Sequence, residues 1–310
     1  MTLVAFVVAL GLGAVLLLLA TELVLLTRRS LLWQSALTRL ERAGDRALDL
    51  LAGELAMAGF RGGVDAAILP PGAPGCGVDD GWALVLRPPL AFADRGARDG
   101  LQLTDGTTPA CLPTRYLQPG SDLLALRRAA TVRTGPGGRE PRRTQWYLAA
   151  DTLGRGEFLY LGSSRASGDL PADGRDVREW HNAIFYVRDY SVTPGDDVPT
   201  LCVERLLGAR MRSECLVEGV ERLHVVFHLD RDRDGYADDA VAEPSAVELL
   251  AATRATIYLQ VRSLEPLGLP QQARVLQLGS ERVAIPADGP FLHRVYLRTV
   301  RLRNVNGGAA

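Results

Sequence analysis

From Thr2 to Thr21 the chain carries no charge, and apart from Glu22 the apolar run continues to Leu26 before Arg28 and Arg29 end it. At 1.5 Å per residue a helix over this run covers the roughly 30 Å of bilayer hydrocarbon, so residues 1–27 are expected as one transmembrane helix. A cleaved secretory signal is the alternative. It would need a basic n-region, a shorter apolar core and a small-residue cleavage site, and none of the three is clear here. Beyond the run no Pro occurs before Pro70, and Leu37, Leu40, Leu48, Leu51 and Leu55 recur at helical steps with Glu41, Arg42, Asp45, Arg46, Asp49 and Glu54 between them. This spacing carries the helix on to about Phe60, with residues 28–62 as an amphipathic continuation. A helix of that length spans roughly 90 Å. Gly44 and Gly53 weaken its second half by about 1 kcal/mol each relative to Ala, so packing on a following domain is expected to hold it. Gly59, Gly62 and Gly63 then stop it.

After Gly63 the helical period gives way to short apolar runs separated by Gly, Pro and Asp clusters. The runs predict strands at Trp82–Leu86, Asp122–Ala129, Trp146–Ala150, Glu157–Gly162, Asn182–Asp189, Thr200–Leu206, Leu223–Leu229, Ala255–Arg262 and Phe291–Leu302. In the seventh, Leu223, Val225, Phe227 and Leu229 alternate with His224, Val226 and His228, a pattern for a sheet with one buried face. Connections too short and polar for helical crossovers favour antiparallel pairing. Pro244 to Ala252 is expected to hold one short helix; Gly135–Pro141, Gly168–Gly174 and the tail 307–310 read as exposed. No internal repeat is found. The class is therefore α+β: a long N-terminal helix packed on an antiparallel β-rich domain over residues 63–306.

Composition narrows the function classes. With 35 basic and 36 acidic residues the net charge is -1, so no global basic field exists to hold nucleic acid. Four Cys without a Cys-x-x-Cys pair argue against a zinc ribbon. His224 and His228 lie on one strand face about 13 Å apart at a rise of roughly 3.3 Å, too far for a metal pair, and are expected to face solvent. His181 and His293 are isolated; there is no Gly-x-Ser-x-Gly elbow, and Gly135-Pro136-Gly137-Gly138 lacks the Lys of a phosphate loop. Nothing in the sequence asks for an enzyme.

One motif is sharp. Asp230-Arg231-Asp232-Arg233-Asp234-Gly235-Tyr236-Ala237-Asp238-Asp239 carries carboxylates at relative positions 1, 3, 5 and 9, Gly at 6 and a backbone carbonyl at 7, the order of an EF-hand calcium loop. Asp230, Asp232, Asp234, Tyr236 and Asp238 are the candidate ligands of a structural Ca2+. Position 12 is Val241, so Asp239 or Glu243 would have to complete the shell. The alternative is an acidic-basic hairpin turn built on Asp234-Gly235.

The residues also carry a resemblance. Met1-Thr2-Leu3-Val4-Ala5-Phe6-Val7-Val8-Ala9-Leu10-Gly11 resembles the mature start of a type IV prepilin, and Ala47-Leu48-Asp49-Leu50-Leu51-Ala52-Gly53-Glu54-Leu55-Ala56-Met57-Ala58-Gly59-Phe60-Arg61-Gly62 resembles the first-helix end of PilW-type minor pilins. Pro119-Gly120-Ser121-Asp122-Leu123-Leu124, Pro194 to Leu201, Val217 to Leu223 and Thr299 to Asn304 extend the likeness in order along nearly the whole chain. The resemblance implies a structural, non-enzymatic minor pilin that helps initiate or cap a type IV pilus. It would be anchored in the inner membrane with its domain in the periplasm, and would contact major pilin and other minor pilins through its helix. A minor pseudopilin of a type II secretion system shares this plan, and a membrane-tethered periplasmic binding protein or enzyme is a reading from another class. Two departures stand out: the family expects a basic leader ending in Gly ahead of the residue at Met1, and it places at the position of Ala5 a Glu that neutralises a neighbour's terminal amine. If the anchor delivers the domain to an oxidising compartment, the four Cys should form two bridges. Of three pairings, Cys76–Cys111 and Cys202–Cys215 are expected, because sequence-local closure needs no long-range coincidence.

Overall fold

The computed structural model describes residues 2–69, 75–76, 81–94, 101–112, 114–162, 170–171, 173–267 and 272–305. Met1 and the expected tail at 307–310 lie outside the described residues, as does part of the loop expected between Gly168 and Gly174. Helix α1 runs unbroken over Thr2–Met57. Gly59 follows at φ 82, and a Cβ there would lie 2.4 Å from the Asn304 carbonyl oxygen, so this reversal admits only glycine.

Eight strands form the first sheet: β1 (Ala66–Ile68), β2 (Leu90–Ala93), β3 (Leu123–Ala129), β4 (Gln145–Ala150), β5 (Arg155–Leu161), β6 (Asp176–Arg188), β7 (Thr200–Leu207) and β8 (Arg210–Glu218). Six more follow: β9 (Val220–Leu229), β10 (Asp239–Val241), β11 (Ala252–Arg262), β12 (Arg274–Leu278), β13 (Glu281–Ile285) and β14 (His293–Arg301). In the first sheet β6 is the hub: its opening residues pair with β4, while Ala183 to Phe185 pair with β3 on one edge and β7 on the other. The second sheet has the order β10-β9-β11-β14, and β12 and β13 form a separate hairpin. Among the described strands every pairing is antiparallel except β1 with β5, which makes the first sheet mixed. The architecture is α+β, as the pattern of the chain predicts.

Eight of the nine expected runs fall on strands, with shifted ends. The exception is Trp82–Leu86, where Trp82–Leu84 form a 3-10 turn entered through Gly81 at φ 90. All three residues are buried, and in a run buried all round periodicity cannot tell strand from turn. The expected helix at 244–252 shrinks to α2 (Ala246–Leu249), opened by a reciprocal cap between Ser245 and Glu248. Strands β1, β2, β8, β10, β12 and β13 add to the expected set.

One core lies between α1 and the two sheets. Leu40, Ala47, Leu48, Leu51 and Leu55 of the helix, with Ala58 just past its end, meet Phe92, Leu126, Phe185 and Val203 of the first sheet and Val225, Phe227, Ile257 and Val300 of the second. A second core backs the other face of the first sheet, where Trp82, Leu84, Trp146, Phe158, Trp180 and Tyr186 gather. Polar pins fix the helix at its flanks: Arg128 donates to both Glu54 oxygens, at 2.7 and 3.0 Å, and Arg298 pairs with Asp49. Burial raises the Glu54 carboxyl, but the Arg128 hydrogen bonds and charge outweigh it and hold the group below its ordinary pKa. Deeper in, the fully buried Arg127 pairs with Asp105 at 3.0 Å, donates to the Pro88 carbonyl and lies 4.2 Å over the Trp82 ring. Burial raises the Asp105 carboxyl, yet the Trp82 indole N–H and the Arg127 charge bring it below the ordinary value.

The two mid-helix glycines have different surroundings. Against Gly44 lies the Tyr296 ring of β14, 2.5 Å from where a Cβ would be, whereas Gly53 is exposed with nothing within 4 Å. Gly53→Ala is therefore expected to raise stability by about 0.5–1 kcal/mol through helix propensity. Gly44→Ala should lower it by about 1–3 kcal/mol through overpacking against Tyr296. Denaturant unfolding of the two variants in detergent checks the contrast.

Glu204 of β7 is 3% exposed, and burial pushes its carboxyl up to about 7, only partly opposed by a hydrogen bond from Ser213. The folded chain thus holds this proton where the unfolded chain has lost it. Stability should fall as pH rises from the ordinary Glu value of about 4.3 through about 7. Glu204→Gln is expected to flatten that decline and raise stability at pH 8 by on the order of 1–3 kcal/mol, measured by thermal melts between pH 5 and 8.

Candidate functional site

Among the described residues, function-bearing chemistry gathers on the free half of α1, in the acidic turn after β9 and in a largely buried group of Asp94, Asp122 and His224. The helix contains an apolar window with mean hydropathy 2.4, none of it buried within the protein, so by length and composition it can cross a membrane. Its large side chains are solvent-facing all round, from Leu3 at 78% exposure to Leu32 at 55%. Contact with the domain begins at Trp33 and Leu37. Ala5 belongs to α1, but its side chain lies outside the described residues, as does Met1.

The acidic turn links β9 to β10. Asp230 lies at the end of β9, 7% exposed, with its backbone N–H bound to the Ala251 carbonyl. Its Oδ2 accepts from the Gly235 N–H at 2.9 Å, which folds the turn back over it, and its Oδ1 is buried without a hydrogen-bond partner. Asp238 Oδ2 accepts from the Arg231 N–H at 2.6 Å, and Asp232 Oδ1 from the Asp234 N–H at 3.2 Å. Arg233 takes φ 65 and Gly235 φ 93 to close the loop. One carboxylate oxygen from each of Asp230, Asp232 and Asp238 lies within 4.8 Å of the other two.

The remaining expected ligands are placed differently. Asp234 Oδ1 accepts from the Tyr236 N–H at 2.8 Å, and Tyr236 is 74% exposed. Asp239 is part of β10, opposite Leu229, and pairs with Arg231 at 3.1 Å. Arg231 also reaches Glu248 of the α2 cap at 2.8 Å. The backbone and hydroxyl of Ser245 together with Arg231 bring the Glu248 carboxyl down to about 2. The turn thus brings three of the five carboxylates together and leaves Asp234 and Asp239 outside that group.

The histidines correct one expectation. His224 is 1% exposed, not solvent-facing: its Nδ1 lies 3.1 Å from Asp122 Oδ2, and burial lowers its pKa less than Asp122 raises it. The β12–β13 hairpin covers this face of the second sheet, with Gly279 against Val226, Tyr258 and His224. His228 is half-buried and shares a 2.8 Å hydrogen bond with Thr256. His181, half-buried, falls to about 4 through burial and the neighbouring Arg128. His293 lies 3.3 Å from Glu221. The Asp122–His224 pair escaped the sequence reading; Ser121-Asp122 ahead of an apolar run was its only trace.

Both expected disulfides are present. Cys76–Cys111 ties two loop segments of the second core, and Cys202–Cys215 joins directly opposed positions of β7 and β8. No free cysteine remains.

A family model described as Type IV pilus-assembly protein W matches residues 184–304. The resemblance read from the sequence is borne out over that segment, and the match supports involvement in type IV pilus assembly. No curated protein and no solved structure matches the chain.

Proposed function

We propose that the chain is a minor pilin: a non-enzymatic subunit, held in the inner membrane by the first half of α1 with its domain in the periplasm, that helps initiate or cap the type IV pilus. The observation that supports this most is the division of one unbroken helix between two surroundings. Its apolar half is bare over the window that could span a bilayer, while its leucine-lined half is sunk in the domain. A bare apolar half suits storage in lipid and then packing among the helices of other subunits, where apolar side chains keep apolar neighbours. The match to the pilus-assembly family over residues 184–304 points to the same assembly.

Ala5 favours a place at or near the tip. A carboxylate buried among apolar helices is tolerable only when paired, and pilins with Glu at this position find the pair in a neighbouring subunit's amine. A subunit with Ala5 gains nothing from that attraction and loses nothing where no such neighbour exists.

A photocrosslinking residue in place of Leu16, which is 66% exposed, is expected to capture major or minor pilins in the membrane, and removing the chain should deplete surface pili. Normal piliation without the chain, or capture of type II secretion pseudopilins instead, would contradict the assignment. Label on the domain should mark filament ends, and Ala5→Glu should leave pilus number unchanged; label spread along filaments would overturn the tip position.

A further inference from the structure

The turn after β9 holds three carboxylates close together with too little positive charge among them. One oxygen of each of Asp230, Asp232 and Asp238 lies within 4.8 Å of the other two, a spacing at which unscreened like charges repel. Among the described residues no guanidinium forms an ion pair with any of the three. Arg231, the nearest in sequence, is committed to Asp239 and Glu248 on the outer side of the loop. Arg254, Arg301 and Arg303 line the cleft beside Asp230, but they are exposed, where solvent screens their charge.

A second observation is independent of the clustering. Asp230 is more than nine-tenths buried, and its Oδ1 has no hydrogen-bond partner although Oδ2 is satisfied by Gly235. A buried carboxylate oxygen left without a donor is destabilising, so such an atom calls for a ligand.

We propose that this turn is a calcium site, with Asp230, Asp232 and Asp238 as its carboxylate ligands and water in the remaining positions. The all-oxygen donor set selects a hard cation over zinc or copper. An irregular turn offering three carboxylates suits the large, adaptable shell of Ca2+ better than the strict octahedron of Mg2+. The ion neutralises the cluster, meets the open Oδ1 and locks the β9–β10 connection. Asp234 and Asp239 do not join the group of three and stay outside the shell. With three ligands and no bidentate Glu at Val241, affinity belongs in the weak range of extracellular modules, a Kd of about 0.1–1 mM.

The test uses the full chain in detergent with Tb3+ as the probe, its luminescence excited through Tyr236, which stands in the same loop. Luminescence should rise on adding Tb3+ and be displaced by Ca2+ at about 0.1–1 mM, with Mg2+ at least about tenfold weaker. The double variant Asp232→Asn, Asp238→Asn removes two charges from exposed side chains while keeping their hydrogen-bond acceptors, so the fold survives. It should lose at least tenfold in Ca2+ affinity. A signal that Ca2+ does not displace, equal displacement by Mg2+, or unchanged affinity in the double variant would overturn the assignment.

Discussion

Burial of Leu40, Leu48, Leu51 and Leu55 on one side of α1 is the contact on which the rest of the molecule depends. Each is at most 3% exposed, and each contributes roughly 1.5–3 kcal/mol by leaving water. Without that contact a helix with glycine at 44 and 53 would gain little from propensity alone. The contact also explains the need for two sheets. A helix stripe is wider than one strand pair can cover, so the first sheet supplies Phe92, Leu126 and Phe185 from one side and the second supplies Phe227, Ile257 and Val300 from the other. The ring of Tyr296 fits against Gly44 in the same way, with the missing side chain giving β14 room to approach the helix.

Apolar contact alone would let the helix slide along its axis or roll, because hydrophobic burial is not directional. The charged pins supply direction. The bidentate bond from Arg128 to Glu54 fixes the helix against β3, and Arg298 to Asp49 fixes it against β14, so both sheets hold it in register. Any force on the free half is therefore carried into both sheets through their strands. Arg127, next to Arg128 but on the opposite face of β3, points into the second core toward Asp105 and Trp82. One strand thus ties the helix-bearing core to the loop-built core behind it.

What could be read from the sequence follows from the range of each interaction. The helix was legible because both its apolar run and its leucine spacing are local patterns. Strand β8 was not: its exposed Arg210, Arg212 and Ser213 leave no apolar alternation, and it is set by pairing with β7 and by the Cys202–Cys215 link. His224 was misplaced because strand alternation reveals which side chains share a face but not whether something later in the chain covers that face. The cover is the β12–β13 hairpin, whose Gly279-Ser280 step between two short alternating runs was a signal available for it. The buried pairs lay further out of reach, since Arg127 and Asp105 are 22 residues apart and Arg128 and Glu54 are 74 apart. In the acidic turn the order of carboxylates was legible, whereas their sorting was not. It depends on β10 pairing at Asp239 and on Arg231 reaching the α2 cap.

The segment that resembles the pilus-assembly family, residues 184–304, supplies much of the surface that closes on the helix. It holds the last turns of β6 and all of β7 to β14, including Phe185, Val203, Val225, Phe227, Ile257 and Val300, which close on the helix. The stretch between the helix and that segment builds β1 to β5, the 3-10 turn at Trp82 and most of the second core. That stretch also reaches the helix, since β2 and β3 supply Phe92, Leu124 and Leu126 to the core around α1 and Arg128 of β3 binds Glu54. The 3-10 turn at Trp82 and the loops around it cover the far face of the first sheet, a task that many apolar sequences can meet. The helix is thus gripped from both stretches of the chain, and neither would bury its leucine stripe alone.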